Sequence, residues 1–210
     1  MLHSFCLCFV GTTVWPVTST TRRHSRASIV QIALGLADAR GLAAVSLANV
    51  ADVAGCKPPS LYNHVNGLDD LLDELSLATT ADFAGALRDS VVARIGEDAV
   101  RAYAHAWRAY VTEYPARYQA TLRAVPHRND EHRAVAAGMT IPAGAVLSTL
   151  GIPDERLADA GRALRSGLHG FAHLELSQLI GPDPTATFES VVDVLVAGLL
   201  SLAKPNASKV

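Results

Sequence analysis

The chain has 210 residues, half of them apolar, with 18 basic and 20 acidic side chains and a formal net charge of −2; this supports one sizeable core, or a small module joined to a larger one. No apolar run approaches the ~20 residues of a membrane helix, since Asp193 interrupts the nearest one, Val191 to Ala203, and no membrane partner is expected. Three cysteines, Cys6, Cys8 and Cys56, odd in number and without framework spacing, exclude a disulfide scaffold and point to a reducing, cytoplasmic setting.

Residues 1–21 read as a disordered tail or as an over-extended start, with initiation nearer Val14 or Val17. The apolar stretch Leu2 to Val10 has neither the basic lead nor the small-residue cleavage site of a signal peptide. From Ser25 onward, Ile29, Ile32, Ala33, Leu36 and Ala37 recur at helical spacing up to Gly41. Ser46 suits the cap of a short helix, Leu47 to Ala54, with Val50 and Val53 expected inward and Gly55 as a left-handed stop. Pro58 and Pro59 fit only the first turn of another helix, where their missing N–H groups cost little. That helix is expected to reach His64 or Val65, before the Asn66-Gly67 turn. A longer helix opens near Leu68, with Asp69 and Asp70 placed against its dipole. Further helices are expected over Glu97 to Tyr114, Ala116 to Val125, Glu131 to Leu150 with a break at Pro142, Asp154 to Ile180, and Ala186 to Ala203. No strand-like alternation and no repeat interrupts them, so the fold class is all-α.

Helix, short helix, tight turn and short helix form the arrangement that presents a recognition helix to DNA. Gly55 permits the steep turn, and Leu47, Val50, Ala51, Ala54 and Leu61 are the residues available to hold the pair together. The outer face then offers Lys57, Ser60, Tyr62, Asn63 and His64, while Pro58 and Pro59 suit contact with thymine methyls. Upstream, Arg22, Arg23, His24, Ser25 and Arg26 could reach phosphates or the minor groove. Charge agrees: residues 22–66 hold five basic and two acidic side chains, a net of +3, and the remainder holds 13 basic and 18 acidic, a net of −5. A plain helical hairpin in a globular core is the bland alternative. An exposed Tyr and His on a proline-started helix suit it poorly.

The run Ala51-Asp-Val-Ala-Gly55-Cys-Lys-Pro-Pro-Ser60-Leu-Tyr-Asn-His-Val65, followed by Gly67-Leu-Asp-Asp-Leu-Leu72, resembles the TetR family of transcriptional regulators. The resemblance covers about residues 25–75. It implies phosphate contacts from Ser46, Tyr62 and His64, and positions near base edges for Lys57, Pro58, Pro59 and Asn63. Val65 replaces the family's usual Phe. Leu68 replaces the usual Lys, so backbone amides at the helix N-terminus would have to stand in for a cation. The segment Leu164 to Glu175, with Trp107 upstream, is similar to a subgroup marked by a Trp and a His-Gly pair. The family further implies a homodimer through the last two helices, a double-stranded DNA operator and an unidentified small-molecule effector.

In the body, Tyr103, Trp107 and Tyr110 fall at i, i+4 and i+7. Such a stripe is core, or the aromatic wall of an effector pocket, and the resemblance favours the second. His169 and His173 lie four apart on one helix face and are candidates for polar lining of that pocket. A metal pair at this spacing lacks the Glu of a zinc-protease motif, because position 170 is Gly. No catalytic residue, metal or cofactor is expected. The alternative is a small helical ligand-binding protein, or a metal-dependent enzyme using His169, His173 and Glu175. Gly167 and Gly170 either allow close helix approach or leave room for a ligand. The expected organisation is a tail or mis-assigned start at 1–21, a helix-turn-helix DNA-binding domain at 22–67, an effector-binding and dimerisation domain at 68–203, and a tail at 204–210.

Overall fold

The computed structural model describes residues 24–124 and 130–203, and the expectations for the N-terminal tail, Arg22, Arg23, Val125 and the C-terminal tail lie outside them. The described residues are helical throughout: α1 Arg26–Arg40, a 3-10 turn Leu42–Ala44, α2 Leu47–Ala54, α3 Pro58–Leu61, α4 Leu68–Ser90, α5 Gly96–Glu113, α6 Pro115–Thr121, α7 Asp130–Gly138, α8 Ile141–Ser148, α9 Asp154–Leu176 and α10 Pro184–Ala203.

Local chemistry sets most boundaries. Ser25 caps α1 in a capping box with Ser28, and Ser46 caps α2 by accepting from the Asn49 N–H. Gly55 ends α2 at φ 67°, ψ 32°, a left-handed conformation that glycine adopts without a Cβ penalty. Pro115 stops α5 and also opens α6. Pro142 sits in the first turn of α8, so the expected break falls just before it, between α7 and α8. Three helices are shorter than their patterns suggest, among them α6, which ends at Thr121 although the pattern ran to Val125. The regular part of α3 ends at Leu61, and Tyr62 to His64 form a turn closed by the Val65 N–H donating to the Leu61 carbonyl. The ninth helix ends at Leu176, where the Ser177 and Gln178 N–H groups bond back to it and Gln178 takes φ 58°.

Packing forms two cores. One joins Ile29, Ala33, Ala37, Val50, Leu61 and Val65 to Leu71 and Leu75 of α4 and to Ala116 and Ala120 of α6. The other gathers Phe83 and Leu87 of α4 with α5, α8, α9 and α10 around Trp107. The fourth helix therefore contributes to both cores, and a division at 67/68 cuts through shared packing. Val53, expected inward, is 54% exposed. With only two buried positions, Val50 and Ala51, the eight-residue α2 has an inner face too narrow to include it.

Between α9 and α10 the approach is close. A Cβ on Gly167 would lie 2.8 Å from Leu195 Cδ2, whereas one on Gly170 would meet nothing within 4 Å. Gly167 thus serves helix approach. The outer face of α10 is left uncovered, with Val194 72% and Leu200 37% exposed. Length and composition alone would let this helix cross a membrane, at mean hydropathy 1.7.

Candidate nucleic-acid interface and effector cavity

The turn at Gly55 sets α3 against α2, with Val50, Ala51 and Leu61 buried between them and Leu47 and Ala54 partly buried at the margin. Outside this seam, Lys57, Pro58, Pro59, Ser60, Tyr62 and Asn63 are all exposed, and His64 is half-buried. Lys57 is the residue before α3, and Pro58 opens the helix. Tyr62 is 61% exposed, a large ring left uncovered by the described residues. Ser46 lies half-exposed at the start of α2, its hydroxyl oxygen already accepting a hydrogen bond at 3.2 Å. The first turn of α4 has no side-chain cap, which leaves amides for an anion. Its exposed Asp69, however, pairs with Arg123 at 3.1 Å.

Arg26 requires a correction. Instead of reaching outward, its guanidinium donates to the His64 carbonyl at 2.7 Å, to Asp70 at 2.9 Å and to Glu74 at 2.7 Å. Two carboxylates one turn apart on α4 outcompete solvent for this cation, so Arg26 fastens the recognition turn to α4. His24 supports the same junction, with Nε2 3.0 Å from the Ala54 carbonyl.

In the body, the aromatic stripe is core. Tyr103, Trp107 and Tyr110 are 2%, 1% and 5% exposed. Phe83 stacks on Tyr110 at 4.5 Å and meets Trp107 edge-on at 4.8 Å. Tyr110 donates to Asp82 at 3.0 Å, and burial, reinforced by Asp82, raises its phenol pKa. Trp107 and Tyr110 are thus corrected from pocket wall to packing. Tyr103 borders a cavity, and burial pushes its phenol up to about 12.

His169 and His173 part company. His173 is exposed and lines none of the cavities described below, a correction to its pocket role. His169 is half-buried, edge-on to Trp107 at 4.8 Å, and its Nδ1 is hydrogen-bonded to the Tyr118 hydroxyl. Arg165 Nε donates to His169 Nε2 at 3.4 Å. Because guanidinium only donates, Nε2 must accept, so the neutral ring carries its proton on Nδ1 and donates to Tyr118. Burial, assisted by the Arg165 charge, lowers His169 to about 4 and keeps it neutral at neutral pH. Burial likewise pushes Tyr118 up to about 12, opposed by the Trp107 indole and by Arg165. The Trp107 N–H favours the phenolate without being aligned to it, and among the described residues it is the buried side-chain donor left without a hydrogen-bond partner.

His169 faces a cavity of about 280 Å³ between α4, α6, α7 and α9. Its polar lining includes Ser76, Thr80, Thr121, Arg123, Arg165 and His132. None of Arg123, Arg165 and His132 was singled out from the sequence. Only Arg165 had a local signal, one turn before His169 on the same helix. A second cavity of about 300 Å³, between α5, α8 and α9, shares Met139 and Arg165 with the first.

His169, His173 and Glu175 do not gather into one cluster. Glu175 forms a two-pronged ion pair with Arg108, at 2.7 and 3.1 Å through one oxygen and 3.2 Å through the other. Among the described residues no three His, Cys, Asp or Glu side chains converge as metal ligands would.

Residues 100–195 match the family model described as the tetracyclin repressor-like C-terminal domain. The chain is 36% identical over 177 residues to an uncharacterised HTH-type transcriptional regulator of Mycobacterium tuberculosis, covering 83% of this chain and 81% of that one. It is 36% identical over 147 residues to an uncharacterised HTH-type transcriptional regulator of Bacillus subtilis, covering 70% and 76%. Among solved structures, the Streptomyces coelicolor TetR family protein ActR in complex with (S)-DNPA superposes at TM-score 0.63 with 21% identity, covering 87% of this chain and 100% of that one. The helix-turn-helix, the helical body, the family match and these relatives agree: the chain belongs to the TetR family of transcriptional regulators.

Proposed function

We propose that this regulator is a homodimeric repressor, released from a pseudo-palindromic double-stranded operator when a small molecule occupies the cavity beside His169. The observation that carries the DNA reading is the uncovered outer face of α3 and the turn after it. Lys57, Pro58, Pro59, Ser60, Tyr62 and Asn63 stand exposed there while the inner face is tightly packed. Base-edge contacts are assigned to Lys57, Pro58, Pro59 and Asn63, and phosphate contacts to Ser46, Tyr62, His64 and the arm residues Arg22 and Arg23. The bare apolar face of α10 supports pairing through α9 and α10. A two-fold dimer would set its recognition elements about 34 Å apart, or a multiple of that, to meet successive major grooves.

The fourth helix supports the coupling. Its first half packs in the DNA-binding core and is held by Arg26, while its second half borders the body core. A ligand that prefers one placement of α4 shifts the population between DNA-competent and released dimers. That a family member, ActR, is known in complex with a small molecule accords with this reading. Gel-shift titration tests it, using fragments selected from genomic DNA by the full-length protein. The proposal expects loss of binding in Tyr62→Ala and ligand-dependent release in the wild type. Affinity unchanged by every candidate ligand would sink effector release.

A further inference from the structure

We propose that the effector is an amphipathic organic anion whose carboxylate is held at Arg165 and Arg123 beside His169. Its apolar part would run past Met139 into the neighbouring cavity. The inference rests on reading the His169 cavity as the effector site.

Three observations carry it. First, among the described residues no Asp or Glu lines the cavity, whereas Arg123, Arg165, His132 and His169 do. A carboxylate there meets the guanidinium donors of Arg165 and of Arg123, the latter shared with Asp73 and Asp69. Second, Arg165 is exposed at the mouth and has no carboxylate within ion-pair distance among the described residues. Its polar contact is the neutral His169 ring. A guanidinium without an acid is suited to a planar, two-pronged partner. Third, Arg165 and Met139 also line the second cavity, whose other walls include Ala143, Gly144, Leu157 and Gly161. A cationic mouth followed by an apolar recess matches a molecule with a charged head and an apolar tail.

The same anion would reach the DNA-binding module. Arg123 holds Asp73 at 2.7 Å and Asp69 at 3.1 Å on the first turns of α4. A carboxylate in the cavity competes with these two acids for Arg123, loosening the start of α4 next to the recognition turn.

Calorimetric titration of the full chain with octanoate and octanamide, which differ in the charged head and share the tail, tests the proposal. Octanoate is expected to bind at least about tenfold more tightly. Arg165→Gln, at an exposed position, is expected to erase that preference, and Arg165→Lys to keep part of it. Equal binding of acid and amide, a preference unchanged in Arg165→Gln, or no binding of either at millimolar concentration overturns the anion site. A parallel gel shift separates the two claims. If the amide binds and releases DNA as well as the acid does, the cavity remains the effector site and the anion claim falls. If octanoate binds with the expected preference while DNA stays bound, the anion site stands and effector release through this cavity falls.

Discussion

Arg26 and His169 show how one side chain joins structure to control. Because Arg26 is tied to the His64 carbonyl, Asp70 and Glu74, its removal should act on folding and not on phosphate contact. Arg26→Ala is expected to destabilise the protein by about 1–3 kcal/mol in urea unfolding, as loss of charged hydrogen bonds to a nearly buried carboxylate does. The salt slope of DNA binding should be unchanged; a slope shallower by about one would return Arg26 to the interface. At His169 the sign follows from its lowered value. The folded ring takes its proton near pH 4 and the unfolded one near 6.5, so the unfolded state binds it first as pH falls. Stability is therefore full above about pH 6.5 and declines toward pH 4, by about 2 kcal/mol for a group partly screened by solvent. His169→Gln should flatten that decline, and an identical pH profile in wild type and variant would refute the assignment.

Elements were legible in the sequence to the extent that their signals are local. Caps and backbone preferences act within a few residues, so Ser46, Gly55, Pro58 and Pro115 mark real boundaries. Where tertiary packing decides, local reading fails. Val53 sits three residues after Val50, yet α1 and α3 cover only one side of α2, and it is left exposed. The aromatic stripe of α5 had the right period for either core or pocket, and Phe83 from α4 settled it as core. The cavity beside His169 was mostly illegible, because Arg123, His132 and Arg165 arrive from separate segments. So were the clasps joining α4 to Arg26 and Arg123, which bridge 44 to 54 residues of chain. The approach of α9 to α10 yields a prediction at this scale. Gly167→Val should push against Leu195 and cost about 1–3 kcal/mol, as overpacking does. Adding Leu195→Ala should recover part of that loss. A double variant no more stable than additivity allows would show that the two residues do not compete for the same space.

At the scale of the whole molecule, α10 is apolar, exposed on its outer face and adjacent to α9. Covering that face with a second copy accounts for the apolar surface and supplies the symmetry of a palindromic operator. Val194→Asp should therefore produce monomers in sedimentation analysis and weaken operator binding, whereas a dimer that persists would place the interface elsewhere. Dimerisation, anion capture and the α4 clasp matter to function only if the Ser46 to Val65 segment reads DNA. The most direct measurement is therefore quantitative gel shift on genomic fragments selected by the wild-type protein, repeated with Lys57→Ala and Tyr62→Ala. The account predicts a two-fold-symmetric bound sequence, with preference altered by Lys57→Ala and affinity reduced at least about tenfold by Tyr62→Ala, which removes a phosphate contact from both half-sites. Wild-type affinity and sequence preference in both variants would contradict it.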